Sequence, residues 1–473
     1  MEWAKMSRTL RCAMQDFTKG NETKQIITFT IPMFIGSFFQ QVYSLIDSVI
    51  VGKYIGAHAL AAVGTSMPII FFVVVVMNGF ASGMAIVVTQ LFGAKRIVEL
   101  RNTVFSTFLA LIAMCLVLSA GGVAAAKPIL TQLLRVPETI IGDATVFLQI
   151  YFGGLVFVFL YNAVSFLLRS VGDSRTPVYF LIISSLINVA LAVLFVKEWG
   201  LGVAGAAWST FIAQGVASLM MIVYTYIKVP VYRIQLSEVT FDRILLSMAL
   251  AQGVPNALQQ GFLGMGGLAL QGLVNSFGEV TIAAVSVAFR VEQIVSQISL
   301  NLSRAMGIFT GQNIGAGNID RVERGVKRIL MMGSILGVLC SGLVIVFGES
   351  IIGIFLSSDT TNMAMAEQVM LQGQQYLAVT GFFFAFVFVT NILAGVLRGS
   401  GDVMFSTVGT LVIFVLRIAA AYMMAVIPQI GYQCIWWSQP FMWVPGTIGL
   451  WLRYRSGIWQ TKSIVSRLGK ESS

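Results

Sequence analysis

Twelve apolar segments, separated by short polar connections, follow one another along the chain. An α-helix needs about 20 consecutive apolar residues to cross a bilayer, and every segment approaches or exceeds that length. The pattern therefore predicts an all-α polytopic membrane protein with twelve transmembrane helices. The predicted segments are residues 28–54, 66–91, 104–126, 145–168, 178–196, 205–227, 250–276, 281–309, 329–347, 369–397, 404–427 and 434–452.

Composition agrees with this pattern and narrows the possible functions. Hydrophobic residues make up 57% and charged residues 11% of the 473 residues, whereas about a quarter of the residues in a soluble protein are charged. The four cysteines, Cys12, Cys115, Cys340 and Cys434, stand singly and lack the spacing of a metal-ligand or redox motif. We expect no disulfide, no metal site and no cofactor.

Lysine and arginine are distributed unevenly among the polar connections. If the chain starts in the cytoplasm, the basic connections collect on the cytoplasmic side, as the positive-inside bias requires. The polar start lacks the apolar core of a signal peptide, so we expect it to be retained. The net charge of +10 is then explained by topology and by contact with the lipid bilayer, not by nucleic-acid binding. We predict two cytoplasmic termini and a bacterial inner membrane location.

The second half of the chain repeats the first. Constant shifts align glycines and polar residues at equivalent connections, including a Leu-Arg-x-x-Gly-Asp motif that occurs once in each half. Since six is an even number, two six-helix halves form parallel repeats, and we expect a cavity between them. Aligned pairs include Gly56 and Gly278, Gln90 and Gln312, Arg169 and Arg398, and Asp173 and Asp402.

The repeat predicts five parts along the chain. Two lobes of six helices each are joined by the longest polar connection and flanked by cytoplasmic ends. The parts are an N-terminal segment (1–24), an N-lobe (25–227), a linker (228–243), a C-lobe (244–452) and a C-terminal tail (453–473).

Asp47 is the one carboxylate within the first apolar segment. A carboxylate at the centre of a membrane helix costs at least about 2.5 kcal/mol, so it indicates a function by default. The alternative is a carboxylate near the helix end that reaches interfacial water. Because eight further residues without an acidic group separate Asp47 from Gly56, we favour the functional interpretation.

Further polar and aromatic residues within apolar segments are candidates for a substrate cavity. Glu292 and Arg417 either line such a cavity or pair with each other. The alternative is that Arg290 and Arg417 extend to a membrane interface and Glu292 only neutralises an arginine. Glutamines either bind cargo or hold helices together. Aromatic rings near Asp47 suit a site for varied cations. These other candidates are Phe39, Gln40, Gln41, Tyr43, Gln259 and Gln260.

Several motifs, taken in their order and spacing, resemble those of the multidrug and toxic compound extrusion (MATE) transporters. They are Asp47 with Val51-Gly52 and Gly56, residues 60–64 (LAAVG), 90–94 (QLFGA), 202–207 (GVAGAA), 312–317 (QNIGAG) and 397–402 (LRGSGD). The resemblance implies twelve helices in two pseudo-symmetric lobes forming a V. It also implies alternating access, in which an ion is exchanged for an organic, often cationic, substrate.

The resemblance also implies an ion-coupling site in the N-lobe. Similar members combine the first-helix carboxylate, matched by Asp47, with an asparagine and a threonine, matched by Asn188 and Thr210. A second carboxylate common in the family is replaced here by Ala192, one helical turn after Asn188. Another branch carries a glutamate early in helix seven, and residues 255–263 contain none.

The missing second carboxylate favours the proton as the coupling ion. Sodium prefers several oxygen ligands, whereas a proton needs one carboxylate, and burial disfavours the charged form of such a group. We therefore expect Asp47 to exchange a proton, with sodium as the alternative ion. A change in its protonation gives the first helix a reason to bend, and we expect the hinge at Pro32 and Gly36.

These observations predict a secondary antiporter that exports amphipathic organic cations, with no catalytic residue and as a monomer. The glycine-rich stretches 264–267 and 399–401 lack the Gly-Lys-Ser/Thr of a phosphate loop, so an ion gradient must supply the energy. A flippase for lipid-linked precursors is the alternative transport function. A membrane enzyme is disfavoured because the single histidine, His58, lies at a predicted connection and no Cys, His or carboxylate cluster accompanies a nucleophile.

Overall fold

The structure is a computed structural model that describes residues 14–233, 239–355 and 363–471. Parts of the predicted N-terminal segment (1–13), linker (234–238) and tail (472–473) therefore lie outside the described residues, as does Cys12. The described part consists of helices and their connections and contains no strand, as the apolar pattern predicts.

Sixteen α-helices follow one another in the described ranges. Short π-helical turns extend α3 and α6, and a bend separates α4 from α5 and α11 from α12. The helices are α1 Glu22–Tyr54, α2 Ala57–Gly93, α3 Ile97–Pro128, α4 Glu138–Gly153, α5 Leu155–Ser170, α6 Arg175–Ala192, α7 Gly202–Lys228, α8 Arg243–Asn275, α9 Glu279–Gly315, α10 Ile319–Phe355, α11 Met363–Phe382, α12 Phe384–Ser400, α13 Val403–Ala425, α14 Cys434–Trp437, α15 Pro440–Arg455 and α16 Ile464–Glu471.

Membrane spans account for most of these helices. Within the described residues, seven helices are long and apolar enough to cross a bilayer, and the two bent pairs raise the number to as many as nine. These nine coincide with nine of the twelve predicted segments. The other three coincide with α8 and α9, which contain more polar residues, and with α15, which begins at Pro440. The chain is therefore a multi-pass membrane protein.

The repeat predicted from the sequence recurs in the helix pattern. Helices α1 and α8 each have 33 residues, and α2 and α9 each have 37. The bends of the pairs α4–α5 and α11–α12 are 47° and 49°. The aligned glycines Gly56 and Gly278 precede α2 and α9 with φ angles of 104° and 88°, a backbone region that favours glycine. The two halves thus share the same order of long helices and bent helix pairs.

The contacts divide the chain into two units. The N-unit contains residues 1–17 and 28–257, and the C-unit contains residues 18–27 and 258–473. The predicted lobes begin at residues 25 and 244, whereas the N-unit extends to residue 257 and residues 18–27 group with the C-unit.

Small residues explain why the first half of α8 belongs to the N-unit. A Cβ atom added to Gly79 of α2 would lie 2.3 Å from the Cα of Ala257, and one added to Gly83 would lie 2.3 Å from the backbone nitrogen of Gly253. Only helices with such small residues at four-residue spacing can bring their backbones this close. A larger side chain at either glycine would force α2 and α8 apart.

A carboxylate explains why the first turn of α1 belongs to the C-unit. Glu22 is 6% exposed and lies near three arginines of α10. Its carboxylate oxygens are 3.4 Å from Arg321 Nη1, 3.4 Å from Arg324 Nε and 2.9 Å from Arg328 Nη1. Because Arg324 and Arg328 are about half exposed, solvent weakens their share of the attraction, and Arg321 is the best enclosed partner.

Candidate functional site

Asp47 lies in α1 and is only partly enclosed. Its residue surface is half-buried, but the Oδ1 atom is buried and accepts no hydrogen bond from any described residue. Tyr43 lies one helical turn earlier on the same face of α1, and its hydroxyl interacts electrostatically with Asp47. A membrane helix thus holds a carboxylate oxygen that has no donor.

Asn188 of α6 and Thr210 of α7 meet beside this face. The Asn188 Nδ2 atom donates a hydrogen bond to Thr210 Oγ1 at 3.0 Å, and Thr210 Oγ1 donates to the Ala206 carbonyl at 3.2 Å. The Tyr43 hydroxyl interacts with Thr210 as well as with Asp47. Tyr43 thus interacts with both Asp47 and Thr210, and Thr210 is hydrogen-bonded to Asn188. A shared ion-coupling role for Asp47, Asn188 and Thr210 stays a prediction.

Two hydrogen-bond acceptors of these N-unit residues have no donor. The Oδ1 atom of Asn188 is buried without a donor, like Oδ1 of Asp47. Ala192, one turn after Asn188, is fully buried and contributes no oxygen. Two enclosed oxygens without donors are costly unless a proton, a cation or water satisfies them. Asp47 Oδ1 can therefore take up a proton or contact a small cation without losing an existing hydrogen bond.

The remaining N-unit candidates lie along α1. Phe39, Gln40 and Gln41 are exposed, so their side chains are available to other molecules. The helix continues without interruption past Pro32, and a Cβ atom on Gly36 would lie 2.9 Å from Val178 Cγ2 of α6. Gly36 therefore permits a close contact between α1 and α6, and its role as a hinge stays a prediction.

Glu292 of α9 forms the second polar cluster, which lies in the C-unit. The side chain is 9% exposed, and its Oε2 atom accepts a hydrogen bond from the Tyr376 hydroxyl of α11 at 2.7 Å. Gln439, just before α15, donates through Nε2 to Glu292 Oε2 at 3.4 Å and to the Tyr376 hydroxyl oxygen at 3.2 Å. Two neutral donors thus hold one oxygen of the carboxylate.

Arg417 of α13 is the charged neighbour of this cluster. It interacts electrostatically with Glu292 and Tyr376, but its guanidinium has no carboxylate within 4.0 Å among the described residues. Its Nε atom is buried without an acceptor, and its guanidinium carbon lies 5.9 Å from the ring centroid of Phe414. The direct pairing of Glu292 with Arg417, one of the sequence-based alternatives, is therefore absent.

The two glutamines of α8 differ in exposure. Gln259 is 6% exposed, whereas Gln260 is exposed. Consecutive residues of a helix face different directions, so the two cannot serve one site in the same way.

Sequence reasoning missed Tyr376 and Gln439. Both lie in segments read only as apolar spans, and each is far from Glu292 along the chain. One signal was available for Tyr376, because α11 carries Gln372, Gln374 and Gln375 directly before it, an unusual polar run in a membrane segment. For Gln439, which precedes a proline, the sequence offers no comparable signal.

A metal centre has no counterpart among the described residues, which contain no group of three or more His, Cys, Asp or Glu side chains able to hold a metal ion.

Comparison with known proteins gives a consistent result. The family model MatE matches residues 32–194 and 255–423, which include both repeats. The "Probable multidrug resistance protein YpnP" of Bacillus subtilis is 29% identical over 95% of this chain and 99% of its own length. The "Multidrug export protein MepA" of Staphylococcus saprophyticus is 26% identical over 81% of this chain and 84% of its own length.

Solved structures share the fold. A MOP superfamily transporter from Pyrococcus furiosus superimposes with a TM-score of 0.84 at 20% sequence identity, over 96% of this chain and 99% of that chain. At this identity the likeness concerns the fold alone.

Proposed function

Because the chain belongs to the MatE family of membrane transporters, we propose that it is a secondary active antiporter exporting amphipathic organic cations in exchange for protons. The two relatives named for multidrug resistance and multidrug export support small organic compounds as cargo. Members of this family are transporters, and the sequence offers no nucleotide-binding loop, so an ion gradient would drive the export.

The single observation that carries proton coupling is the state of Asp47 Oδ1, a buried carboxylate oxygen without a donor in a membrane helix. Adding one proton to Asp47 neutralises the group and creates a donor in a neighbourhood that also contains the unsatisfied Asn188 Oδ1. Binding and release of a proton therefore require no break of an existing hydrogen bond to Oδ1.

The exchange of cargo for protons follows because both compete for the negative charge of Asp47. A cationic cargo and a proton both neutralise Asp47, so occupancy by one opposes occupancy by the other. Phe39, Gln40 and Gln41, exposed on the same helix, offer an aromatic face and amides to the cargo. Alternating access to the two sides of the membrane then converts this competition into antiport.

Sodium is the second candidate for the coupling ion, because the unsatisfied oxygens of Asp47 and Asn188 could also ligate a cation. We favour the proton because Ala192 supplies no further oxygen and sodium prefers several ligands. Purified protein in liposomes, loaded with ethidium, tests both ions when a proton gradient and a sodium gradient are imposed separately. Ethidium movement driven by the proton gradient alone is expected, and movement driven only by sodium would contradict the proposal.

We further infer that both termini face the cytoplasm of a bacterial inner membrane. Lys95 and Asn318 are exposed at the equivalent connections after α2 and α9, and Lys127 is exposed near the end of α3. A membrane-impermeant thiol reagent added to intact cells should label Lys127→Cys at least about tenfold faster than Lys95→Cys or Asn318→Cys. Equal labelling at all three positions would contradict this topology.

A further inference from the structure

Three arginines in the first turns of α10 share a single carboxylate. The carboxylate oxygens of Glu22 lie 3.4 Å from Arg321 Nη1, 3.4 Å from Arg324 Nε and 2.9 Å from Arg328 Nη1. Among the described residues, no other carboxylate oxygen lies within 4.0 Å of Arg324 or Arg328. One negative charge therefore faces three positive charges, and the cluster carries a surplus of positive charge.

The protein uses these arginines unequally. Arg321 is 11% exposed and donates two further hydrogen bonds to the segment around Glu22. The side chains of Arg324 and Arg328 are 56% and 49% exposed, and among the described residues each donates only to Glu22. A guanidinium has several N–H donors, so both side chains retain donors for an anion outside the protein. Lys327, on the same face of α10, is also exposed.

The equivalent helix of the N-unit, α3, has no such surplus. Helices α3 and α10 begin at equivalent positions of the repeat, and Asn102 and Ser106 stand in α3 where α10 has Arg324 and Arg328. Both neutral side chains form hydrogen bonds of 2.8 to 3.3 Å with residues just before α8. Holding the segment that leads into a long helix therefore requires no cation at these two positions. The exposed arginines of α10 indicate a partner other than that segment.

An apolar stripe continues the face of α10 that carries these arginines. Met331, Ile335, Val338 and Leu339 follow Arg328 in steps that keep them on this face, and they are between 54% and 65% exposed. With 37 residues, α10 is about 55 Å long, whereas the hydrocarbon core is about 30 Å thick. Because charged side chains avoid the core, the first turns of α10 lie at the level of the lipid headgroups, and the apolar stripe contacts acyl chains.

We propose that Arg324, Lys327 and Arg328 bind the phosphate of an anionic phospholipid whose acyl chain lies along the apolar stripe. Guanidinium groups match phosphate oxygens in charge and geometry, and basic clusters at a membrane surface attract acidic headgroups. The equivalent face of α3 also exposes apolar side chains, with Leu109 at 52% and Leu116 at 54%, but its three corresponding positions are neutral. That face should contact lipid without a preference for charge. The proposed lipid site is independent of the transported cargo.

Two lipids with the same acyl chains provide a matched test. Dioleoyl phosphatidylglycerol carries a net negative charge, whereas dioleoyl phosphatidylcholine is neutral overall. Each lipid is titrated into the purified full-length chain, and native mass spectrometry gives the Kd of the first bound lipid. Wild type should bind phosphatidylglycerol at least about tenfold more tightly than phosphatidylcholine, because the surplus positive charge favours the anionic headgroup.

Arg324→Gln/Arg328→Gln should lower this preference at least about fivefold. Arg324→Gln alone keeps the 2.9 Å contact between Arg328 and Glu22, and it should lower the preference about threefold even if the double variant does not fold. The matched control is Arg175→Gln/Arg455→Gln, which removes two exposed arginines of α6 and α15 and should behave like wild type. Glu22→Gln removes the competing carboxylate and should tighten phosphatidylglycerol binding about threefold.

Equal binding of the two lipids by wild type would overturn the proposal, and so would an unchanged preference in Arg324→Gln. An equal loss of preference in the control double variant would show an effect of net charge alone, which also contradicts a site on α10. Glycerol 3-phosphate in excess should not displace phosphatidylglycerol, and displacement would show that the arginines bind a soluble phosphate instead. If the cluster only held the start of α1, Glu22→Gln would lower the Tm and leave lipid binding unchanged, contrary to the proposal.

Discussion

Asp47 of the N-unit and Glu292 of the C-unit are both carboxylates within long helices of a membrane protein, but their surroundings differ. Two neutral donors, Tyr376 and Gln439, hold Glu292 Oε2, and the side chain is 9% exposed. Asp47 is half-buried, and its enclosed Oδ1 has no donor among the described residues. One carboxylate is therefore supported by hydrogen bonds, whereas the other is not.

The helices that carry them do not differ in this way. Around Asp47, α1 exposes Leu45 at 65% and Val49 at 63%, and around Glu292, α9 exposes Phe289 at 48% and Ile294 at 57%. The contrast therefore lies in the hydrogen bonds to the carboxylates and not in the exposure of the helices. It indicates that Asp47 is suited to change its protonation, and that Glu292 is suited to hold a fixed orientation.

The largest expected effect concerns proton dependence. Asp47→Asn keeps the shape of the side chain but cannot exchange a proton, so proton-driven ethidium efflux from liposomes should fall to the level of empty liposomes. Glu292→Gln should change the apparent affinity for cargo while efflux still requires the proton gradient. The matched control is Asp143→Asn, because Asp143 is exposed on α4. Proton-driven efflux by Asp47→Asn that equals wild type, together with its loss in Glu292→Gln, would reverse the assignment.

The second effect concerns stability. Glu292→Ala leaves the Tyr376 hydroxyl and the Gln439 amide without their acceptor, so the free energy of unfolding should fall by about 3 kcal/mol. Asp47→Ala breaks no hydrogen bond to Oδ1 and should cost less than about 1 kcal/mol. Detergent-titration unfolding of the purified variants measures both values. Equal decreases in the free energy of unfolding of the two variants would contradict the difference in hydrogen bonding between Glu292 and Asp47.

A smaller effect on stability is expected when the tyrosine hydroxyl near each carboxylate is removed. Tyr376→Phe removes one charge-assisted hydrogen bond to Glu292 and should lower the free energy of unfolding by about 1.5 kcal/mol. Tyr43→Phe, in the neighbourhood of Asp47, should cost about 0.5 kcal/mol or less because Tyr43 is only half-buried. The same unfolding titration measures both variants, and a larger loss for Tyr43→Phe would contradict the comparison.

The smallest expected effect is a gain of sodium-stimulated efflux. Ala192→Asp adds a second carboxylate one turn from Asn188, which supplies an oxygen that the wild-type site lacks. We expect a sodium gradient to stimulate ethidium efflux by this variant about threefold, measured in liposomes without a proton gradient. Ala190→Asp, on another face of α6, serves as the control. Sodium stimulation in wild type of the same size would show that the missing carboxylate does not decide the ion.

The sequence predicted the helix order and the repeat because these depend on local or periodic features. Apolar runs of bilayer length must form helices, since a membrane offers no other partner for the backbone. Glycines such as Gly56 and Gly278 mark backbone angles that other residues rarely adopt, so matching positions recur in both halves. The grouping of Asn188 and Thr210 followed from the family resemblance, and the hydrogen bond between them agrees with it.

The surroundings of Glu292 were decided by the tertiary structure alone. Tyr376 and Gln439 lie 84 and 147 residues beyond Glu292, and no periodicity in the sequence relates positions so far apart. The separation of Glu292 from Arg417 depends on how α9 and α13 are oriented within the C-unit. The first turn of α1 belongs to the C-unit because Glu22 pairs with Arg321. The first half of α8 belongs to the N-unit because small residues such as Gly83 allow close packing against α2. Apolar pattern determines that a helix forms and spans the membrane, whereas side-chain shape and charge on distant helices determine its neighbours.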